Sequence, residues 1–238
     1  MAVLLGLVLG SFFNTVIYRL PRGESVVYPP SRCPACGHRL GPGELVPVLS
    51  FLWLGGRCRE CRARISWRYP MVEAGTAALF LLLYLQFGGA PRAVHYLLLA
   101  SFLVVIGAID LEHRVIPNRL VAAGLLLGFP SALATGAIPL REAGLGLVVV
   151  GGVVLLVAEA SRGGMGGGDV KLAALIGFYL GWRAGLAAFL AAVFLGAGAG
   201  LVLIALGLKT RKDYIPFGPF LGAGALVAML WGRAPWGG

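Results

Sequence analysis

The chain has 238 residues, of which 58% are hydrophobic and only 13% charged, with a mean hydropathy of +0.87. Soluble domains carry about 45–50% apolar and about 25% charged residues, so the composition argues against a water-soluble globular protein. Twenty Lys and Arg against ten Asp and Glu give a net charge of +10, but the apolar fraction excludes intrinsic disorder. What remains is a polytopic membrane protein.

Spanning helices need about 20 mainly apolar residues. On that scale eight candidates follow in chain order: 2–18, 71–87, 93–109, 119–136, 144–160, 170–181, 184–207 and 217–231. The first lacks a preceding basic region and a following A-x-A-like cleavage site, and Arg19 and Arg22 come after it. It therefore reads as a retained span with its N-terminus outside. Between the first two spans, residues 21–70 are polar, rich in Pro and Arg, and contain all four cysteines. That length suits a small metal-held insert rather than an ordinary hydrophobic core. Further on, Gly124/Gly128, Gly177/Gly181, Gly196/Gly200 and Gly218/Gly222 fall at small-xxx-small spacing, which lets helices approach closely in lipid. No internal repeat is evident.

Basic residues give the expected orientation. One side would carry the nine Lys and Arg between Arg19 and Arg68, then Arg114, Arg119, Arg162, Lys171, Lys209, Arg211 and Lys212. The other would carry only Arg92, Arg141, Arg183 and Arg233. Sixteen against four marks the first side as cytoplasmic and an even number of spans, with both termini outside.

Cys33-Pro-Ala-Cys36 and Cys58-Arg-Glu-Cys61 are two C-x2-C knuckles separated by 21 residues. Paired knuckles can close a tetrahedral four-thiolate zinc site. Disulfides and redox pairs are the alternatives, disfavoured on a reducing cytoplasmic side. His38 is expected to stay outside a shell that four thiolates complete. The arginines around the second knuckle (Arg57, Arg59, Arg62, Arg64, Arg68) read as topology signals and lipid contacts, so no nucleic-acid partner is expected.

The ten acids can be weighed singly. Glu24, Glu44, Glu60 and Glu112 are expected to be solvated, and Asp213 to be a surface charge. Glu73 begins the second span, close enough to the apolar run to face a polar cavity. Asp110 ends the apolar stretch from Leu97, and Asp169 follows the glycine run Gly163-Gly164-Met165-Gly166-Gly167-Gly168 at the start of the sixth span. Ionisable residues at such positions in a membrane segment are functional candidates. The glycine run would let a non-helical backbone line a wet cavity. Two carboxyls in reach of each other share a proton, and the pair can act as acid and base on a water attacking an amide. The helix ends set opposite partial charges beside them, positive at Asp169 and negative at Asp110.

Five blocks in order resemble the type IV prepilin peptidases. They are Gly10-Ser11-Phe12-Phe13-Asn14 through Pro21; the cysteines leading to Tyr69-Pro70-Met71-Val72-Glu73; Asp110 with Ile116-Pro117-Asn118; Gly166-Gly167-Gly168-Asp169 with Lys171; and Ile215-Pro216-Phe217-Gly218-Pro219-Phe220. The resemblance implies an all-α membrane aspartyl protease of about eight spans, with a cytoplasmic zinc-knuckle insert between the first two. Its divisions would be residues 1–20 (first helix), 21–70 (zinc module) and 71–238 (peptidase domain). Asp110 and Asp169 would be catalytic, and Cys33, Cys36, Cys58 and Cys61 would hold zinc. Gly166, Gly168, Lys171, Glu73 and Asn14 would shape the site. Substrates would be prepilins and pseudopilins at the bacterial inner membrane, cut on the cytoplasmic face after the Gly that ends a short basic leader. S-adenosylmethionine would then methylate the new amine. Two alternatives stay open: a peptidase without methylation, and a proton-coupled transporter with the two Asp as a relay.

Overall fold

The computed structural model describes residues 1–161, 164–210, 213 and 215–231. Of the charges used for orientation, Arg162, Arg211, Lys212 and Arg233 lie outside the described residues. Among the described residues eight α-helices form: α1 Ala2–Arg19, the short α2 Leu49–Trp53, α3 Arg68–Phe87, α4 Pro91–His113, α5 Asn118–Thr135, α6 Leu140–Ala160, α7 Gly167–Ala205 and α8 Gly218–Trp231. Pro91 opens α4 at its first turn, where a missing N–H costs nothing, and Pro139 and Pro117 stand just before α6 and α5. Among the described residues, five helices are long and apolar enough to cross a membrane: Ala2–Arg22, Arg68–Phe87, Pro91–His113, Leu140–Ala160 and Gly167–Ala205. The α5 helix begins with Asn118-Arg119 and contains Pro130, which lower its apolarity, and the apolar part of α8, Gly218–Leu230, is shorter.

Two of the expected spans, 170–181 and 184–207, both lie in α7. A straight helix of 39 residues would run about 58 Å, roughly twice the hydrocarbon thickness. Gly181 breaks it, with φ 80° and ψ 170°, a backbone region open essentially to glycine alone. The chain turns back there. A Cβ at Gly185 would lie 3.0 Å from the Gly177 Cα, whereas eight residues of straight helix rise about 12 Å. The sequence puts the break at Trp182-Arg183, and the structure puts it one residue earlier.

The chain divides into two units, Met1–Leu85 and Gln86–Gly238. In the first, α1 and α3 touch backbone to backbone: Gly6 meets Ala77, and Gly10 meets Glu73, where a Cβ would lie 2.8 Å from the Glu73 Cα. Ile17, Phe80 and Leu83 are fully buried there. In the second, α7 packs on α6 and α8, and α4 packs on α5 and α8. Leu99, Ile106, Ile109, Leu172, Leu175, Ile176 and Leu221 form its core. Gly146 of α6 lies so close to the Gly177 carbonyl that no side chain fits at either position. His95 of α4 is also wholly buried, its Nδ1 2.7 Å from the Ser131 hydroxyl and its Nε2 3.3 Å from the Tyr179 carbonyl oxygen. The Tyr179 hydroxyl donates to the Gly124 carbonyl at 2.8 Å, so one polar cluster ties α4, α5 and α7.

Candidate functional site

Asp110 lies one turn before the end of α4 and Asp169 is the third residue of α7. Both are buried, at 3% and 4% exposure. Fifty-nine positions apart in sequence, they lie near enough for the charge of one to act on the other. Each is fixed by one backbone donor. The Gly166 N–H donates to Asp169 Oδ2 at 3.1 Å, the N-terminal capping geometry of α7, and the Gly218 N–H donates to Asp110 Oδ2 at 2.9 Å. Gly218 opens α8, so a third helix points its N-terminal dipole at Asp110. A Cβ at Gly218 would fall 2.7 Å from that same oxygen, so the approach requires glycine. Sequence reasoning noted Gly218 as a packing residue and within the Ile215–Phe220 block, but not as a partner of Asp110. Its link to Asp110 crosses 108 positions and leaves no local signal.

Gly168 faces Ile116, where a Cβ would lie 3.0 Å from the Ile116 Cβ, so Ile116-Pro117 docks on the start of α7. Lys171 Nζ donates to Asn118 Oδ1 at 2.9 Å across the same junction. The glycine run meets the expectation of a non-helical backbone in part, since Gly164, Met165 and Gly166 lie outside the helix. Gly166 is extended, but Gly167 and Gly168 are already helical, because the Asp169 carboxylate accepts the Gly166 N–H and starts the helix there. Asn14 and Glu73 belong to the first unit, as do the cysteines. Glu73 is 7% exposed and its Oε2 accepts the Val48 N–H at 2.6 Å. Asn14 donates from Nδ2 to the Tyr69 carbonyl at 3.0 Å.

All four cysteines are free thiols with their sulfurs within 4.8 Å of one another, Cys33 to Cys61 at 3.8 Å and Cys36 to Cys58 at 4.0 Å. Tetrahedral ligation at about 2.3 Å requires sulfurs about 3.8 Å apart. The set therefore fits a metal ion. The two knuckles are structural copies. Cys33 N–H donates to His38 C=O at 2.8 Å and Cys58 N–H to Ala63 C=O at 2.9 Å. Gly37 and Arg62 occupy the same left-handed position, at φ 74° and 59°. Bridges Arg32↔Arg39 and Arg57↔Arg64 flank the two turns. This is a short repeat that sequence inspection missed, since the knuckles share only the cysteines and the flanking arginines, R-C-x2-C-x2-R. The Cys36 backbone N–H, opposed by burial, brings the Cys33 thiol down to about 7. At Cys36 the His38 N–H pulls down, but desolvation and the neighbouring sulfurs push harder, up to about 12. Four crowded sulfurs thus give up one proton readily and resist giving more unless a cation joins them. Glu44, expected to be solvated, instead accepts the Gly41 N–H at 2.8 Å and pairs with His38 at 3.0 Å. The Gly41 N–H and His38 hold it below the usual carboxylate range, and Glu44 in turn raises His38.

The family profile described as "Bacterial Peptidase A24 N-terminal domain" matches residues 4–87, and that of the "Type IV leader peptidase family" matches residues 97–201. The chain belongs to the type IV leader peptidase family. It is 38% identical to a prepilin leader peptidase/N-methyltransferase of Bacillus subtilis, over 95% of this chain and 92% of that protein. It is 35% identical to the protein of the same name from Pseudomonas putida, over 98% and 90%. A Myxococcus xanthus relative is 41% identical over 84% of this chain and 61% of its own length. No solved structure matches. The first matched segment holds all four cysteines, Asn14 and Glu73, and the second holds Asp110 and Asp169.

Proposed function

We propose that this chain is a multi-pass inner-membrane aspartyl peptidase that removes the short basic leader of prepilins and pseudopilins and then methylates the exposed amine. One observation carries the reading: two buried carboxyls, each oriented by a single backbone N–H, interact at the meeting point of α4, α7 and α8. With one proton shared between them, the ionised carboxylate takes a proton from water as its oxygen attacks the scissile carbonyl. The protonated partner donates to the carbonyl oxygen. Collapse of the resulting diol breaks the C–N bond and the leaving nitrogen takes the proton, so no acyl-enzyme forms.

Cys33, Cys36, Cys58 and Cys61 would hold zinc as a structural ion, within a cytoplasmic module at 21–70 that follows the first helix at 1–20 and precedes a peptidase domain at 71–238. Gly166, Gly168 and Lys171 shape the entry to the dyad through α5 and the start of α7. S-adenosylmethionine, when bound, supplies an electrophilic methyl group on its sulfonium. Eight spans, with both termini outside and the carboxyls at the cytoplasmic face, complete the arrangement. The relatives' name favours the bifunctional enzyme over a bare peptidase, and family membership leaves no support for a transporter.

The test is prepilin cleavage by membrane-inserted Asp110→Asn and Asp169→Asn proteins. Each should lose at least about 10²–10⁴-fold in rate, the usual contribution of positioned acid–base groups. Full cleavage by either variant overturns the dyad.

A further inference from the structure

Within the polar stretch 21–70, residues 45–54 read Leu-Val-Pro-Val-Leu-Ser-Phe-Leu-Trp-Leu, ten positions without a charge. An apolar run of that length is too short to span a bilayer and suits either a core helix or a segment lying in the membrane interface. Exposure decides between them. Phe51 is buried, but Leu49, Leu52 and Trp53 are 55%, 62% and 79% exposed. Depth follows from the antiparallel pairing of α1 with α3, in which Gly6 meets Ala77, Gly10 meets Glu73 and Asn14 bonds to Tyr69. Glu73 is thus level with Gly10, nine residues or about 13 Å before Arg19 at the basic end of α1. Its Oε2 accepts the Val48 N–H at 2.6 Å. A glutamate oxygen lies four bonds from its Cα and reaches only about 5 Å. Val48, where α2 begins, therefore lies several ångströms on the membrane side of Arg19. The Phe51 ring packs 4.8 Å from that of Trp67, the residue just before α3, and so keeps the rest of α2 at the membrane edge.

The backbone of this segment suits a medium poor in hydrogen bonds. The N–H groups of Leu49, Ser50, Leu52 and Leu54 donate within it, to the carbonyls of Pro47, Val46, Val48 and Ser50. That of Val48, at φ 61° where a β-branched residue is strained, goes to Glu73. Unpaired N–H groups are what lipid excludes. Three residues further on, the exposed Arg57, Arg59, Arg62 and Arg64 outnumber Glu60 around the second knuckle, a charge complementary to anionic headgroups.

We propose that residues 45–54 are an interfacial anchor. The segment lies in the cytoplasmic leaflet where headgroups meet acyl chains, the usual seat of short apolar faces bearing tryptophan. Lipid covers Leu49, Leu52 and Trp53, Glu73 pins the start of α2 to α3, and the arginines of the second knuckle rest on anionic headgroups. The cysteine module is thereby fixed against the membrane surface rather than standing free of it. This inference needs α1 and α3 to cross the membrane, and it does not depend on the peptidase chemistry.

The experiment uses the full, metal-loaded chain in vesicles of phosphatidylethanolamine and phosphatidylglycerol. Emission from Trp53 is read as wild type minus Trp53→Phe. Phospholipids brominated near the headgroup end of the acyl chain should quench it at least about twofold more strongly than those brominated near the methyl end, as an interfacial depth requires. Quenching by aqueous acrylamide with none by lipid would put Trp53 in water, and quenching by neither would put it under protein. Either result overturns the anchor. Should Trp53→Phe fail to fold, wild-type chain cross-linked to a photoactivatable phospholipid decides alone, with label expected on residues 45–54 as well as on α1 and α3. Label on α1 and α3 without 45–54 removes only the anchor. Label on none of the three removes the membrane-spanning reading of these two helices as well.

Discussion

Asp110 is placed by its own helix α4 and held by the Gly218 N–H, and the second of these is the more exposed to mutation. A methyl group at position 218 would lie 2.7 Å from the carboxylate oxygen, so either the carboxyl or the start of α8 must move. A displacement near 1 Å in a catalytic group can cost about 100-fold in rate. Gly218→Ala is therefore expected to cut prepilin cleavage by about that factor while the protein still inserts. Gly222→Ala is the matched control: its nearest neighbour would be Leu103 at 3.8 Å, an ordinary contact, and cleavage should stay within about twofold of wild type. Equal rates from both variants would separate Gly218 from the chemistry. The two aspartates stood out in the sequence because each borders an apolar run at a span end, where an interfacial charge was the plain alternative, and the structure buries both. Gly218 did not, because what it does is admit a backbone N–H from 108 positions away, and a glycine carries no mark of its partner.

At the level of elements, the duplicated knuckle makes a prediction that four cysteines alone do not. Gly37 and Arg62 hold the same left-handed corner, yet only one of them is glycine. A Cβ at Gly37 would meet nothing within 4 Å, so Gly37→Ala tests backbone strain without a clash, at a cost of about 1–2 kcal/mol. Arg62→Gly should go the other way, to within about 1 kcal/mol of wild type on the stabilising side. Because metal binding and folding of such modules are one equilibrium, competition with a zinc chelator reads both changes. Opposite shifts are expected, and parallel shifts would deny that the two corners are equivalent. Cys33→Ser should lose the metal outright, measured by metal analysis of purified protein. The helical hairpin of α7 was half legible. Its two apolar stretches and the Trp182-Arg183 interruption stand in the sequence, but the residue that turns the chain is Gly181, at φ 80° and ψ 170°. Gly181→Ala should destabilise the protein by about 1–3 kcal/mol, read as a lower unfolding midpoint in detergent.

For the whole molecule, the start of α7 and the start of α8 must lie at the same end of their helices, because Asp169 interacts with Asp110 and Gly218 bonds to it. The chain between 169 and 218 therefore leaves that end and returns, which an uninterrupted α7 cannot do and a reversal at Gly181 can. The charge pattern independently favours the same reversal. With α7 as one span, Arg183 would lie inside hydrocarbon, and Lys209, Arg211 and Lys212 would fall on the side that otherwise carries only Arg92 and Arg141. In the sequence Trp182-Arg183 separates the two apolar stretches of α7, and the basic residues give each its expected direction. Reporter fusions test it. Alkaline phosphatase, active only outside the cytoplasm, should be active when fused after residue 137 or residue 183 and inactive after residue 115 or residue 209. Activity at 209 together with none at 183 would mean a single crossing by α7, and would place Gly218 and Asp110 on opposite sides of the membrane, in conflict with the 2.9 Å hydrogen bond that joins them.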